Sequence, residues 1–202
     1  MRNNCLLFIV YCLLLFVCCF SCRRTYTPKP NAYFRIDFPE KEYQIYDSIC
    51  PFTFEYPVYG ILAPDARPAS GRCWLYINFP KYKGTINLTY HEINSDNNLD
   101  ELIEDNWKMI FSIIAQKADA VDPQQYSDFE HNVFGTLYDI KGNAASAVQF
   151  FVTDSVKNYL RGSLYFYARP NYDSLAPAVA FFRKDIIHLM ETIRWEDVKS
   201  KK

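Results

Sequence analysis

The chain has 202 residues, with 22 basic and 23 acidic side chains and a formal net charge of −1. That length suits one domain, and so even a balance excludes a surface that holds nucleic acid or an anionic membrane by charge alone. Sixteen Tyr and sixteen Phe favour strands and a well-filled core. Of seven cysteines, five (Cys5, Cys12, Cys18, Cys19 and Cys22) crowd into the first 22 positions, a placement that belongs to targeting rather than to a disulfide framework.

Arg2 precedes an uncharged apolar run, Cys5–Phe20. A membrane-spanning helix takes about 20 apolar residues and a signal-peptide core about 7–15, and this run lies nearer the signal class. It ends in Cys19-Phe20-Ser21-Cys22, which resembles the bacterial lipobox in placing a small residue before the cysteine. It departs from that pattern at Cys19, where Leu is usual, and at bulky Phe20. The expectation is a lipoprotein signal peptide over residues 1–21 and lipidation of Cys22, palmitate among the chains. An uncleaved anchor helix is the alternative. Both readings export the domain and tether it to a membrane, each buried CH₂ of a lipid chain contributing about 0.8 kcal/mol. Residues 22–30 then form the lipidated cysteine and a linker, Arg23 to Pro30, stiffened by Pro28 and Pro30. Extended, it reaches about 25 Å. Arg23 and Arg24, rather than acidic residues, follow the cysteine, which points to a periplasm-facing domain.

Residues 31–198 read as a single α+β domain and 199–202 as a charged tail. Asn31–Asp47 alternates apolar and polar residues around Pro39 and predicts an edge strand and turn. Cys50–Tyr56 predicts a strand ending at Pro57, and Ala63–Gly71 a loop. Cys73–Phe79 and Thr85–Ile93 predict two strands joined by a hairpin at Pro80–Gly84. Asn98-Leu99-Asp100-Glu101 opens a helix with Asn98 as N-cap, and Leu99, Ile103, Trp107, Ile110 and Ile114 mark its expected buried face. Asp119 and Asp122 fall in the loop leaving that helix. Val133–Arg169 predicts a three-stranded meander with turns at Lys141–Asn143 and Asp154–Ser155. A second helix begins near Asp173–Pro177, with Val179, Phe182, Ile186, Leu189 and Ile193 as its stripe. The order, strands, helix, three strands, helix, argues for an antiparallel sheet with two main helices packed on it. The closing helix resembles that of the Mog1/PsbP-like fold.

Once Cys22 is lipidated, Cys50 and Cys73 remain, in an oxidising compartment. A disulfide between them is the expectation, with two buried free thiols as the alternative. On the last strand of the meander, period-2 alternation puts Leu160, Gly162 and Leu164 on one face. Arg161, Tyr165, Tyr167 and Arg169 fall on the other, a wet aromatic–arginine face whose composition matches protein interfaces. Cover by the second helix is the competing reading. His91, His131 and His188 lack zinc-ligand spacing. Asp96, Asn98 and Asp100 imitate the start of a calcium loop, but Glu101 stands where Gly is needed. Ser146 sits among small residues, yet outside any Gly-x-Ser-x-Gly. No phosphate loop or cofactor motif occurs, so neither a cofactor nor a catalytic or metal residue is expected.

Several stretches together resemble the gliding-motility lipoprotein GldD family. They are Pro28-Lys29-Pro30 with Tyr33–Pro39, Cys50-Pro51 with Phe54–Pro57, and Cys73-Trp74. Tyr138–Ser146, Gln149-Phe150-Phe151, Leu160-Arg161-Gly162, Arg169-Pro170-Asn171 and Asp173–Pro177 extend the match over nearly all of the mature chain. The resemblance implies an exported lipoprotein of the gliding motility and type IX secretion machinery, with no known catalytic residues. Secretion is the more general role it implies, since some carriers do not glide. Partners would be the membrane, through the lipid on Cys22, and other envelope proteins; a ligand-binding or hydrolytic lipoprotein is the rival.

Overall fold

Two antiparallel sheets and two helices are built from residues 36–67, 73–95 and 98–196, the part of the chain that the computed structural model describes. The signal peptide, Cys22, the linker, Asp96 and the tail at 199–202 lie outside those residues. The described residues fall in one compact unit.

The small sheet has the order β1-β2-β10, with β1 at Tyr43–Tyr46, β2 at Phe52–Pro57 and β10 at Arg194–Trp195. The large sheet has seven strands in the order β3-β4-β5-β9-β8-β7-β6. They are β3 (Ile61–Pro64), β4 (Leu75–Phe79), β5 (Gly84–Glu92), β6 (Ala118–Asp128), β7 (Val133–Gly142), β8 (Ser146–Thr153) and β9 (Asn158–Phe166). Two strands correct the sequence reading. Pro64 belongs to β3 rather than a loop, and Asp119 and Asp122 lie in β6 rather than in a helix exit. Both strands are edges of the sheet, where a proline with no N–H is tolerated because only one side needs a ladder partner. Pro64 in β3 and Pro123 in β6 hid both strands from a reading by pattern.

The meander closes as its sequence implies. Asp154 Oδ1 accepts from the backbone N–H groups of Val156, Lys157 and Asn158 at 2.9, 2.8 and 2.8 Å, and Ser155 takes φ 64°. This Asx turn carries β8 into β9. Gly162 lies opposite Phe150 on β8 and Leu88 on β5. A Cβ there would stand 2.1 Å from the Phe150 ring, so glycine is what lets that ring cross the strand.

α2 spans Tyr172–Thr192, with Asn171 accepting from Ser174 N at 3.1 Å as its cap. Phe182, Ile186, Leu189 and Ile193 are fully buried or nearly so, and pack on Phe52 and Phe54 of the small sheet and on Leu88, Phe150, Leu160 and Leu164 of the large one. The stripe expected from the sequence is the one used. The helix thus fuses the two sheets into one core, and hydrophobic burial on that scale is the main stabilising term. Cys50, before β2, and Cys73, before β4, have their Cα atoms 5.7 Å apart and are joined by a disulfide.

α1 spans Leu99–Lys108, capped by Asn98 Oδ1 accepting from Glu101 N at 2.9 Å, and runs on into a π-helical turn at Met109–Ile114. It covers the opposite face of the large sheet. Ile110, Tyr138, Ile140, Phe151 and Tyr159 form a second buried cluster there, and Tyr159 Oη donates to Leu102 O at 3.4 Å. The expected buried face is corrected at Trp107, which is 54% exposed and stacks on Phe111 with centroids 4.8 Å apart. Trp107 and Asn106 both fit helical spacing to Ile110, and the helix turns Asn106 inward. The side chain of Ile114 lies outside the described residues. Among the described residues no helix is long and apolar enough to cross a membrane.

Candidate functional site

The face of β9 expected to be wet is a second core at one end and an open cleft at the other. Tyr159 and Ser163 are buried, Arg161 and Tyr165 are partly buried, and Tyr167 is 70% exposed. This corrects the single interface face read from alternation. α1, not α2, covers the strand at Tyr159, and β9 ends at Phe166, so strand alternation no longer governs Tyr167 or Arg169. Both are exposed beyond the strand. Arg161 and Tyr165 remain together on β9.

Strand register sets out the cleft. One row across the sheet runs Thr89, Arg161, Phe151, and the next runs Tyr76, Asn87, Ser163, Gln149. Where α1 gives way to its π-helical turn, Met109 forms one wall of a cleft of about 270 Å³. Trp74, Tyr76, His91 and Arg161 line it from the sheet side, together with the buried side chain of Asp65 and exposed Arg67. Trp74 is fixed by its indole N–H, which donates to Tyr90 O at 3.1 Å.

Arg161 is the cleft's distinctive group. Its Nη2 donates to Gln149 Oε1 at 2.7 Å, while its Nε and the Nε2 of wholly buried Gln149 are buried with no hydrogen-bond partner. Burial pulls its pKa down, and the ionisable groups that act on it are the phenols of Tyr165 and Tyr159, not a carboxylate. His91 is also held below its usual range, first by burial and then by the Arg161 charge. Two other arginines, Arg67 beside the cleft and Arg183 on α2, are neutralised. Arg67 forks onto Asp65, with Nε at 2.9 Å and Nη2 at 2.5 Å from Oδ2, and Tyr76 Oη donates to the same oxygen at 2.9 Å. Arg183 on α2 forks onto Asp139 at 2.7 and 2.8 Å.

A second ionisable cluster fastens the N-terminal segment to α2. Asp185, 1% exposed, accepts from Lys41 Nζ at 2.7 Å, Tyr43 Oη at 3.1 Å and Tyr59 Oη at 2.7 Å. Lys41 Nζ also stands 3.2 Å from the Phe181 ring centroid. Burial, reinforced by the Asp185 charge, raises the pKa of both phenols, so both stay protonated donors. Burial lowers the Lys41 pKa against the opposing pull of Asp185. Every acceptor position of the carboxylate faces a donor, and this is a clamp rather than a reactive centre.

The other residues considered for chemistry are engaged structurally. Ser146 Oγ donates to Leu164 O at 2.9 Å and to Val148 O at 3.2 Å. His188 lies 2.6 Å from Glu55 Oε2 and stacks on Tyr43 at 3.6 Å. His131 lies 2.7 Å from Asp128 Oδ2 at the β6–β7 turn. Among the described residues no group of three or more His, Cys, Asp or Glu is placed to hold a metal ion. The cleft itself escaped a reading by pattern, because Trp74, His91 and Arg161 come together only through the β4-β5-β9 order.

No curated protein matches the chain. Among solved structures, the solution structure of cyanobacterial PsbP (CyanoP) from Synechocystis sp. PCC 6803 is similar, at 13% identity and a TM-score of 0.47, over 78% of this chain and 94% of that one. The family model described as gliding motility lipoprotein GldD matches residues 23–195. Over most of its length, then, the chain belongs to the gliding motility lipoprotein GldD family.

Proposed function

We propose that the protein is a membrane-anchored, periplasm-facing lipoprotein that acts without catalysis, as a docking or assembly factor of the gliding motility and type IX secretion machinery. The observation that carries this reading is the family match, which begins at residue 23, directly after Cys22. Lipid on Cys22 holds the chain at the membrane, residues 22–30 serve as a linker, and residues 31–198 act as one domain. A non-enzymatic role is supported by Ser146, whose hydroxyl is taken up in backbone hydrogen bonds, and by His131 and His188, each with one ring nitrogen held on a carboxylate. Docking is supported by Tyr167 and Arg169, exposed where β9 gives way to α2. Such residues combine contact area with hydrogen bonding at interfaces.

The test joins anchoring to docking. Cells carrying Cys22→Ala should fail to incorporate an alkynyl fatty acid into the protein and should release it from the membrane fraction. A photoreactive residue at Tyr167 should crosslink to an envelope protein of the motility or secretion machinery. Undiminished lipid labelling of C22A would refute the anchor. Normal gliding and secretion in cells that carry Tyr167→Ala with Arg169→Ala would refute the docking edge.

One observation favours the ligand-binding rival, namely the uncompensated guanidinium of Arg161 in a formed cleft.

A further inference from the structure

We propose that the cleft between β4, β5, β9 and the π-helical turn binds a small monocarboxylate with an aromatic or apolar body, its carboxylate on Arg161. Charge gives the first argument. A guanidinium withdrawn from water is unfavourable unless it meets an opposite charge or has its donors satisfied. Arg183, partly buried, obeys that rule through a two-pronged contact to Asp139, and even solvent-exposed Arg67 forks onto Asp65. Arg161 has one accepted N–H, to Gln149, and no carboxylate partner among the described residues. Gln149, 0% exposed, spends its oxygen on this arginine and leaves its own Nε2 without a partner. So much unmet donor capacity in one buried place is unusual in a folded protein. A purely structural arginine would be forked like Arg183.

Shape and lining narrow the chemistry. Planar guanidinium recognises a carboxylate through parallel N–H···O bonds. Trp74, Tyr76 and Met109 give the cleft apolar walls, while Asn87 and Thr89 add polar edges. Asp65, Arg67 and His91 add further polar lining, so the ligand's body meets both apolar walls and polar groups. The cleft's volume, about 270 Å³, admits a molecule of benzoate size but no folded partner. A dianion would need a second free cation, and Arg67 is already committed to Asp65, whose side chain is 3% exposed and adds a negative charge to the cleft lining. A monoanion therefore fits better than phosphate.

The test uses the full-length chain in detergent, ¹⁵N-labelled, with the Trp74 indole signal assigned by Trp74→Phe. Benzoate, benzamide and inorganic phosphate are titrated separately. Benzoate should shift the Trp74 signal saturably, with benzamide and phosphate weaker by at least about tenfold. Arg161→Lys, which keeps the charge and loses the fork, should weaken benzoate binding by at least about tenfold. Absence of saturation by benzoate up to about 10 mM, equal binding of benzamide, or tighter binding of phosphate would each overturn the proposal. Unchanged benzoate binding by folded R161K would overturn it as well. If R161K does not fold, the three titrations on the unaltered chain decide alone. The result is independent of lipidation and of the Tyr167 edge.

Discussion

Removing both charged partners of the Asp185 clamp should destabilise the domain much less than the sum of removing each alone. The Asp185 carboxylate is 1% exposed and meets Lys41, Tyr43 and Tyr59. Asp185→Leu strands the Lys41 ammonium beside an apolar ring and leaves two phenols without their acceptor. Breaking a buried ion pair from one side costs about 3–5 kcal/mol. Because the Lys41 side chain keeps 25% exposure, it recovers some hydration, and the loss should fall near the lower end, about 3 kcal/mol. Lys41→Met leaves a buried carboxylate held by phenols alone, a loss of about 2–4 kcal/mol. In the double variant no charge remains, and the residual loss, about 2 kcal/mol, comes from the two unpartnered hydroxyls. Together the two single losses thus exceed the double loss by about 3–5 kcal/mol. Urea unfolding of the four proteins at neutral pH measures this coupling. Additivity within about 0.5 kcal/mol would refute the clamp.

Three other outcomes follow from local geometry. Replacing Cys50 and Cys73 with Ser should remove about 3 kcal/mol in the chain-entropy model, given their separation of 23 positions; alkylation of both thiols in denatured, unreduced protein would show that no bridge forms. Gly162→Ala would place a methyl 2.1 Å from the Phe150 ring and should lower stability by about 2–3 kcal/mol. Adding Phe150→Leu should restore part of that loss in thermal unfolding, and no recovery would argue against the ring contact. Asp154 is pushed up by burial but pulled further down by N–H donors from Asn158, Lys157 and Val156 and by the Asn158 amide, for a net lowering. Its stabilisation is therefore present above the unfolded carboxylate pKa of about 4. That stabilisation disappears as pH falls through the lower folded value. Urea midpoints of the unaltered protein and Asp154→Asn should differ at pH 7 and converge under strong acid; parallel curves would contradict this.

Local chemistry was legible in the sequence to the extent that it acts over a few residues. Asn98 and Asp154 announce their cap and turn because their acceptors serve N–H groups within four positions. The α2 stripe is legible because one face meets one core. Edge strands are not, since β3 and β6 need only one partner and tolerate Pro64 and Pro123. Alternation on β9 correctly separates Leu160 from Arg161, but it says nothing about what lies over each face. That depends on α1 returning across the sheet. Lys41 and Asp185 stand 144 positions apart in the chain, and no spacing rule links them.

The clamp has a mechanical meaning for a domain whose chain is held from its N-terminal side. Tension entering at residue 36 meets Phe38 stacked on Phe181 at 4.2 Å, then Lys41 on Asp185, then Tyr43 stacked on His188. All three grips are on α2, the helix that joins the sheets. A pull would be delivered to the whole core at once before it could peel β1 from β2 as an isolated strand. Under the proposed anchoring through Cys22, such a load path would matter, because the element nearest the tether is bolted to the element that holds the body together.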